Sequence, residues 1–360
     1  MDDSKLIKWL YEKEKQERIL TLANAYYPVF KTLLNNILKI KRNEIILIVG
    51  DTGKQGYRLS PLITMAYNFT GQRLGLKTRI HFEDENNELF DSKTNLDSAL
   101  KSLTQKATVI LNLSNKMGKL TEIKTSFRKY CKTNKIRFVT TTSLGYIKTS
   151  DSYKFIKALN IDYKALKEKA IKLKEMMDFG KTIYVSTKKG TSLMFKINRK
   201  PAFISDGIYE KFGQGGNLPG GEVYIAPEKD QVEGTLVIDG SCRVKEGTIL
   251  VKNPVKLTIK KGEVVRIDGR EEAEMLRKSI AEAKSKTKGL GARKIGELGI
   301  GLNPNATIIG STIVDEKTLG TAHVAIGTNT SFMGHVVAPI HYDQVFWHPK
   351  IRIDGKRIYF

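Results

Sequence analysis

The pattern of apolar residues changes near residue 180, and this change constrains the fold more than any other feature of the sequence. Before it, short apolar runs typical of buried strands alternate with segments of helix length. Such alternation predicts an α/β domain with a mainly parallel sheet. The expected elements are a helical segment over 4–40 interrupted at Pro28, strands at 44–50, 77–82, 107–113 and 136–141, and helices at 61–74, 126–134 and 162–177.

After residue 180 the strands become short and closely spaced, with Gly, Pro and Asn between them. This spacing is typical of antiparallel sheets. We therefore expect an N-terminal α/β domain over residues 1–180 and an α+β C-terminal domain, rich in antiparallel strands, over residues 181–360. The predicted C-terminal elements are strands at 182–185, 193–197, 234–238, 247–251, 254–259 and 263–267 and one helix at 271–284.

The composition limits the possible partners. The formal charge is +23, which invites a nucleic-acid hypothesis, but the lysines are spread along the chain rather than gathered in a stripe. We therefore expect a solvated basic surface and no specific nucleic-acid partner. No apolar run approaches the roughly 20 residues of a membrane helix, so no membrane association is expected. The acidic N-terminus and two isolated cysteines favour a reducing, cytoplasmic setting.

Residues suited to metal binding are concentrated near the C-terminus, where four of the five histidines fall within the last 38 residues. His341 and Asp343 are two positions apart, and on an extended segment both would point to the same face. Glu316 and His323 are seven residues apart in a stretch of small and apolar residues. Each pair taken alone is more often a surface pair, or a turn carboxylate beside a core histidine, than a metal site.

Two further glutamates lie in glycine-rich, apolar contexts. Glu297 belongs to Gly-Glu-Leu-Gly-Ile-Gly, and Glu222 follows Gly220-Gly221, where an exposed loop is the alternative. A buried, unpaired carboxylate is costly and needs a cation, a donor or a proton. Together these residues would suit two divalent cations that share a carboxylate and a water. The six candidate metal ligands are Glu222, Glu297, Glu316, His323, His341 and Asp343.

These motifs resemble those of the thermophilic metallo-aminopeptidase family, of the aminopeptidase T and aminopeptidase S type. The resemblance rests on five stretches in order and covers about residues 160–360 well; the stretches are 190–195, 217–240, 296–304, 315–327 and 341–343. It implies a two-domain homodimeric hydrolase that removes N-terminal residues from peptides with two bound ions of Zn, Co or Mn. It also implies that the six candidates are the ligands and that Glu297 or Glu316 is the catalytic base.

One position departs from that family, which has a tyrosine seven residues after the motif histidine where this chain has Thr330. The motifs also resemble a related branch, 2,5-dihydroxypyridine dioxygenase. In that alternative, His323, His341 and Asp343 would form the two-histidine, one-carboxylate triad of a non-haem Fe(II) oxygenase. The three additional glutamates favour the dinuclear aminopeptidase, which is the leading prediction. A non-enzymatic binding module, based on the positive charge, is the third hypothesis.

Overall fold

The computed structural model describes residues 3–83, 96–103, 106–115, 117, 120, 122–286 and 290–359, and the chain divides into two units. Unit 1 consists of Met1–Asn160 and Gly207–Pro219, and unit 2 consists of Ile161–Asp206 and Gly220–Phe360. No helix in the described ranges combines the length and the apolar character needed to cross a bilayer.

Unit 1 contains a five-stranded sheet and its helices. The strands are β1 (Ile45–Asp51), β2 (Lys77–Glu83), β3 (Ala107–Asn112), β4 (Arg137–Thr141) and, after an excursion of the chain, β8 (Gly215–Asn217). The helices are α1 (Asp3–Glu17), α2 (Ile19–Ala25), α3 (Tyr27–Thr32), α4 (Leu59–Arg73), α5 (Leu96–Lys101), α6 (Phe127–Thr133) and α7 (Ser152–Leu159).

The sheet of unit 1 has the order β2-β1-β3-β4-β8, and each of these neighbouring pairs is parallel. Every residue of β3 and β4 is buried, which is typical of central strands covered on both faces. The prediction of an α/β unit with a mainly parallel sheet is confirmed.

Unit 2 begins with one long helix and then consists mainly of strands. The helices are α8 (Tyr163–Phe179), α9 (Glu271–Lys286) and α10 (Thr312–Asp315). The strands are β5 (Thr182–Ser186), β6 (Ser192–Lys196), β7 (Phe203–Ser205), β9 (Glu222–Ile225), β10 (Val232–Ile238), β11 (Ser241–Arg243), β12 (Thr248–Leu250), β13 (Val255–Lys260), β14 (Glu263–Asp268), β15 (Ile295–Gly301), β16 (Thr321–Gly327), β17 (His341–Trp347), β18 (Lys350–Ile353) and β19 (Lys356–Arg357).

These strands form two seven-stranded sheets. One has the order β14-β13-β10-β6-β5-β18-β19, and the other, which we call the site sheet, has the order β12-β11-β17-β16-β15-β9-β7. Both sheets contribute to one hydrophobic core, in which Leu236 and Leu257 of the first sheet join Leu298, Val324 and Phe346 of the site sheet. The prediction of a C-terminal unit rich in antiparallel strands is confirmed.

Helix α8 belongs to unit 2, whereas the predicted boundary near residue 180 would leave it in the N-terminal domain. Its start is capped by Asp162, whose carboxylate accepts hydrogen bonds from Lys164 N and Ala165 N at 3.0 Å. The buried positions of this helix, Leu166, Ala170, Leu173 and Met177, lie in the core of unit 2. The contacts therefore divide the chain at residue 160, and the segment 207–219 returns to unit 1 to add strand β8.

Candidate metal centre

Strand β15 divides its residues between the core and the opposite face of the site sheet. Leu298 and Ile300 lie in the hydrophobic core, so the alternation of side chains places Glu297, Gly299 and Gly301 on the other face. A Cβ atom built at Gly299 would lie 2.1 Å from His323 Nε2, and one built at Gly301 would lie 2.2 Å from Thr318 O. Both glycines are therefore required by close neighbours rather than by an unusual backbone conformation.

The strand register brings the candidate residues onto this same face. Gly301 pairs with Glu222 of β9, and Gly299 pairs with His323 of β16. Ala325 stands directly between Glu297 and Asp343, because it pairs with both across neighbouring strands. Its small side chain leaves the space between the two carboxylates open. His341 comes from β17 two residues before Asp343, as the extended His-x-Asp spacing predicts. Glu316 directly follows helix α10.

The two histidines lie on either side of Glu297. His323 Nε2 is 3.3 Å from Glu297 Oε1, and His341 Nε2 is 3.3 Å from Glu297 Oε2. His341 Nε2 is also 3.2 Å from Asp343 Oδ1, and His323 Nε2 is 3.5 Å from Glu222 Oε2. His323 is completely buried, whereas 30% of the His341 side chain is exposed, so His341 marks the accessible side of the cluster.

All six candidate residues occur in groups suited to a cation. Within each group, one potential ligand atom per residue lies within 4.8 Å of the others. Asp343 shares one group with His323 and another with His341, so it is close to both imidazoles. The role of all six residues as metal ligands stays a prediction. The groups are Glu222, Glu297 and His323; Glu297, His341 and Asp343; and Glu316, His323 and Asp343.

Burial and mutual contacts shift the pKa values of this cluster in opposite directions. Burial raises the pKa of Glu316 to about 8, and Lys317 offsets only part of that effect. Burial also acts to raise the pKa of Glu297, but its hydrogen bonds with His323 and His341 outweigh it and lower the pKa. For His323, burial is outweighed by the hydrogen bond with Glu297 and the charge of Glu222, which raise the pKa to about 9. Without a metal ion, the imidazoles therefore hold protons that a cation would displace.

The orientation of His341 is set by a backbone contact. Its Nδ1 lies 2.7 Å from Thr328 O, and because a carbonyl oxygen only accepts, Nδ1 must carry the donated proton. The lone pair of a neutral imidazole is then on Nε2, which faces Asp343 and Glu297. Such outer contacts commonly fix the tautomer of histidine ligands. His323 differs, since its Nδ1 has no hydrogen-bond partner among the residues that the structure describes.

Sequence reasoning missed Lys317, which lies inside the cluster. Its side chain is completely buried, and its Nζ contacts Glu222 Oε1 and Glu316 Oε1. These carboxylates outweigh the effect of burial and raise the pKa of the ammonium group above its ordinary value. The only available signal was its position directly after Glu316, and a lysine next to a glutamate is common on protein surfaces.

Aromatic side chains border the exposed side of the cluster. The ring centroid of Phe332 lies 6.2 Å from that of His341 and 5.2 Å from that of Tyr224. Phe203 stacks on Tyr224 with centroids 5.7 Å apart. We call Phe203, Tyr224 and Phe332 the aromatic wall. Thr330, which stands where the aminopeptidases have tyrosine, is exposed in the turn that leads to Phe332.

Comparisons with known proteins identify the family. The family model described as "NicX: 2,5-dihydroxypyridine 5,6-dioxygenase" matches residues 151–359, more than half of the chain. The 2,5-dihydroxypyridine 5,6-dioxygenase of Pseudomonas putida (strain KT2440) is 24% identical over 201 residues, which cover 53% of this chain and 56% of that protein. The aligned part thus spans little more than half of the length of that relative.

Two solved structures share the fold across nearly the whole chain. The structure of 2,5-dihydroxypyridine dioxygenase from Pseudomonas putida KT2440 has a TM-score of 0.70 at 17% identity and covers 94% of this chain and 96% of its own. Wild-type AmpT from Thermus thermophilus has a TM-score of 0.59 at 14% identity and covers 92% of this chain and 96% of its own. The resemblance to aminopeptidase T is therefore confirmed for the fold.

The prediction of a metallo-aminopeptidase is wrong. The family model and the sequence relative both name a dioxygenase, which is an oxidoreductase. This contradicts the prediction of a hydrolase and protease that acts on peptides. The physical reason is that solved structures of both kinds of enzyme share this fold, so carboxylates and histidines on it could not separate the two activities. The chain belongs to the NicX family, the family of 2,5-dihydroxypyridine 5,6-dioxygenase.

Proposed function

We propose that this protein is a non-haem iron dioxygenase that opens the ring of a hydroxylated aromatic compound, with dihydroxypyridines as the first class to test. The observation that carries the proposal is the position of two imidazoles and Asp343 on one face of the site sheet, within the residues that the family model matches. Two histidines and one carboxylate are the donor set of non-haem Fe(II) oxygenases.

The residues fit an iron ion in three respects. The donors are nitrogen and oxygen atoms, and both cysteines are buried and free, which matches Fe(II) rather than a thiolate zinc site. His341 Nε2 is aimed at the cluster by the contact of Nδ1 with Thr328 O. Gly299 provides the space that the ring of His323 fills. His323, His341 and Asp343 would hold the ion, so one iron replaces the expected pair of Zn, Co or Mn ions.

When bound, the iron would supply the chemistry with dioxygen that protein side chains cannot provide. A dioxygenase of this kind adds both oxygen atoms to the ring as one carbon–carbon bond breaks, so one O2 is consumed per substrate and no separate reductant is needed. Glu297 is placed to accept the proton of a substrate hydroxyl, because its two carboxylate oxygens lie 3.3 Å from His323 Nε2 and His341 Nε2, the atoms that would face the ion.

The aromatic wall gives the substrate class physical support. Phe332 lies beside the partly exposed His341, and Tyr224 packs edge-on against Phe332. A planar heteroaromatic ring can pack against such side chains by stacking or edge-to-face contacts, each of which contributes about 0.5–1.5 kcal/mol beyond buried area. A peptide would gain less from this surface than a flat ring.

The test is oxygen consumption by iron-loaded protein. The chain would be loaded with Fe(II) without air, its iron content measured, and 2,5-dihydroxypyridine and other dihydroxylated aromatic rings added in aerated buffer. We expect one O2 consumed per ring opened and loss of the aromatic absorbance. Full iron occupancy without oxygen uptake on any of these rings would reject the proposal.

Matched histidine variants provide the control. His341→Ala should lose iron and activity together. His348→Ala, which changes the histidine directly after β17 and outside the cation groups described above, should keep both.

A further inference from the structure

The ammonium group of Lys317 lies where two of the candidate carboxylates meet. It contacts one oxygen of Glu222 and one oxygen of Glu316, and no part of the Lys317 side chain reaches solvent. A buried ammonium group is stabilised only where carboxylates or other acceptors surround it. These two glutamates are also candidate ligands, so the lysine and a metal ion would compete for the same two carboxylates.

Contacts with Lys317 divide the candidate ligands into two sets, which we call the two halves of the cluster, although Glu222 and Glu316 each share a cation group with His323. One half contains His323, His341, Asp343 and Glu297, none of which is in an ion pair with Lys317 among the described pairs. The other half contains Glu222 and Glu316, which Lys317 joins. A divalent ion placed in the second half would meet a like charge at contact distance, and in a buried site such repulsion is screened very little.

The backbone holds Lys317 in this place. Lys317 O accepts a hydrogen bond from Asn303 N at 2.8 Å, and Lys317 N donates one to Val314 O at 3.0 Å. The missing side chain of Gly301 permits this approach, since a Cβ atom there would lie 2.9 Å from the carbonyl carbon of Lys317. With the main chain fixed and the side chain enclosed, the ammonium group has no solvent-exposed position to move to.

We propose that Lys317 takes the place of a second metal ion, holding Glu222 and Glu316 with its ammonium group and leaving His323, His341 and Asp343 to a single ion. The inference rests on the metal centre of the proposed function but not on its reaction. It assigns Lys317 as a positioning residue that sets the metal stoichiometry of the site.

The test is the number of ions per chain, measured by elemental analysis after saturation with Mn(II) and removal of free metal. The wild-type chain should bind one ion. Lys317→Met, which keeps the length of the side chain and removes its charge, should bind two, with the electron paramagnetic resonance signal of coupled Mn(II) ions. Adding Glu316→Gln to Lys317→Met should restore a count of one, because the second half then lacks one of its two carboxylates.

Lys294 offers a matched control, since its Nζ also joins two acids, Asp230 at 2.8 Å and Glu263 at 3.3 Å, away from the metal groups. Lys294→Met should leave the count at one. Two ions in the wild-type chain, or one ion in a folded Lys317→Met chain, would overturn the proposal.

Glu316→Gln alone keeps the inference testable if Lys317→Met does not fold. With Lys317 in place, Glu316 is not a ligand, so this variant should still bind one ion, and loss of that ion would overturn the proposal. A chain that binds one Mn(II) but opens no aromatic ring when fully loaded with Fe(II) would contradict the proposed function and leave this inference intact, so the two failures can be told apart.

Discussion

The imidazole of His323 lies against the backbone of Gly299, where a Cβ atom would be only 2.1 Å from Nε2. Any side chain at residue 299 would overlap with the histidine ring in its present position. We therefore predict that Gly299→Ala displaces His323 and weakens metal binding by at least about tenfold, while overpacking costs about 1–3 kcal/mol of stability. Isothermal titration with Mn(II) and thermal unfolding would measure the two effects. Unchanged affinity in a destabilised variant would show that His323 is not a ligand.

Asp343 is close to both histidines and is the carboxylate of the proposed iron-binding set, so its removal should severely damage the metal centre. Asp343→Asn keeps the shape of the side chain but removes the charge that a cation needs. Because the loss of an outer partner alone costs about 10–100-fold in affinity, we expect a loss of more than about 100-fold for this variant. Iron content after dialysis would measure it. Retention of one iron per chain would exclude Asp343 as a ligand.

Metal affinity should increase with pH. In the metal-free protein the hydrogen bond with Glu297 and the charge of Glu222 outweigh burial and raise the pKa of His323 to about 9. The charge of Asp343 similarly outweighs burial and raises the pKa of His341 well above its ordinary value. A histidine must lose its proton before it binds a metal. At lower pH this loss is less favourable, so metal binding is weaker. Titrations with Mn(II) should show a Kd that falls as the pH is raised from about 6 to about 9. A pH-independent Kd would contradict this prediction.

Phe332 should contribute to substrate binding and not to metal binding. Phe332→Leu removes the aromatic ring beside His341 and keeps an apolar side chain of similar reach. The loss of an aromatic contact of about 0.5–1.5 kcal/mol corresponds to a KM raised by about twofold to tenfold. Steady-state oxygen uptake would measure the change, with iron content as the check on the centre. The exposed Phe179, changed to Leu, is the control and should leave KM unaltered.

A buried ion pair in unit 1 should be essential for its stability. The guanidinium of Arg137 is buried and contacts Glu44, and it donates from Nε to Thr108 Oγ1 at 2.9 Å and from Nη1 to Glu210 O at 2.9 Å. Arg137→Met would leave the buried carboxylate of Glu44 without its cationic partner, which typically costs about 3–5 kcal/mol. Denaturant unfolding would measure the loss.

Exposed and compensated variants test the cause of that loss. Lys101→Met breaks the exposed pair with Glu122 and should leave the stability close to that of the unchanged chain, because solvent screens exposed pairs. The double variant Arg137→Met with Glu44→Gln should recover part of the stability, because no buried charge is then left unpaired. Equal losses for the single and the double variant would argue against the unpaired charge as the cause.

Much of the fold could be predicted because the patterns that specify it are local. The apolar run before Gly50 forms β1, the segment after Asp162 forms α8, and the short runs beyond residue 180 form antiparallel strands. The six candidate residues could likewise be named, since an acid in a glycine-rich apolar strand or a His-x-Asp pair is visible in the sequence. Their meeting on one face follows from strand register, which brings Glu222, Glu297, His323 and Asp343 together from four different strands.

The tertiary structure alone decided which charged and small residues matter. Lys317 is one of 61 basic residues, and no local pattern separates a lysine enclosed by two glutamates from one in solvent. Gly299 matters only because His323 pairs opposite it on the next strand. The sequence by itself therefore determined the elements and the types of donor, because periodicity and residue chemistry act over a few residues. The enclosure of Lys317 depends on contacts between residues 95 positions apart, and only the folded chain brings those together.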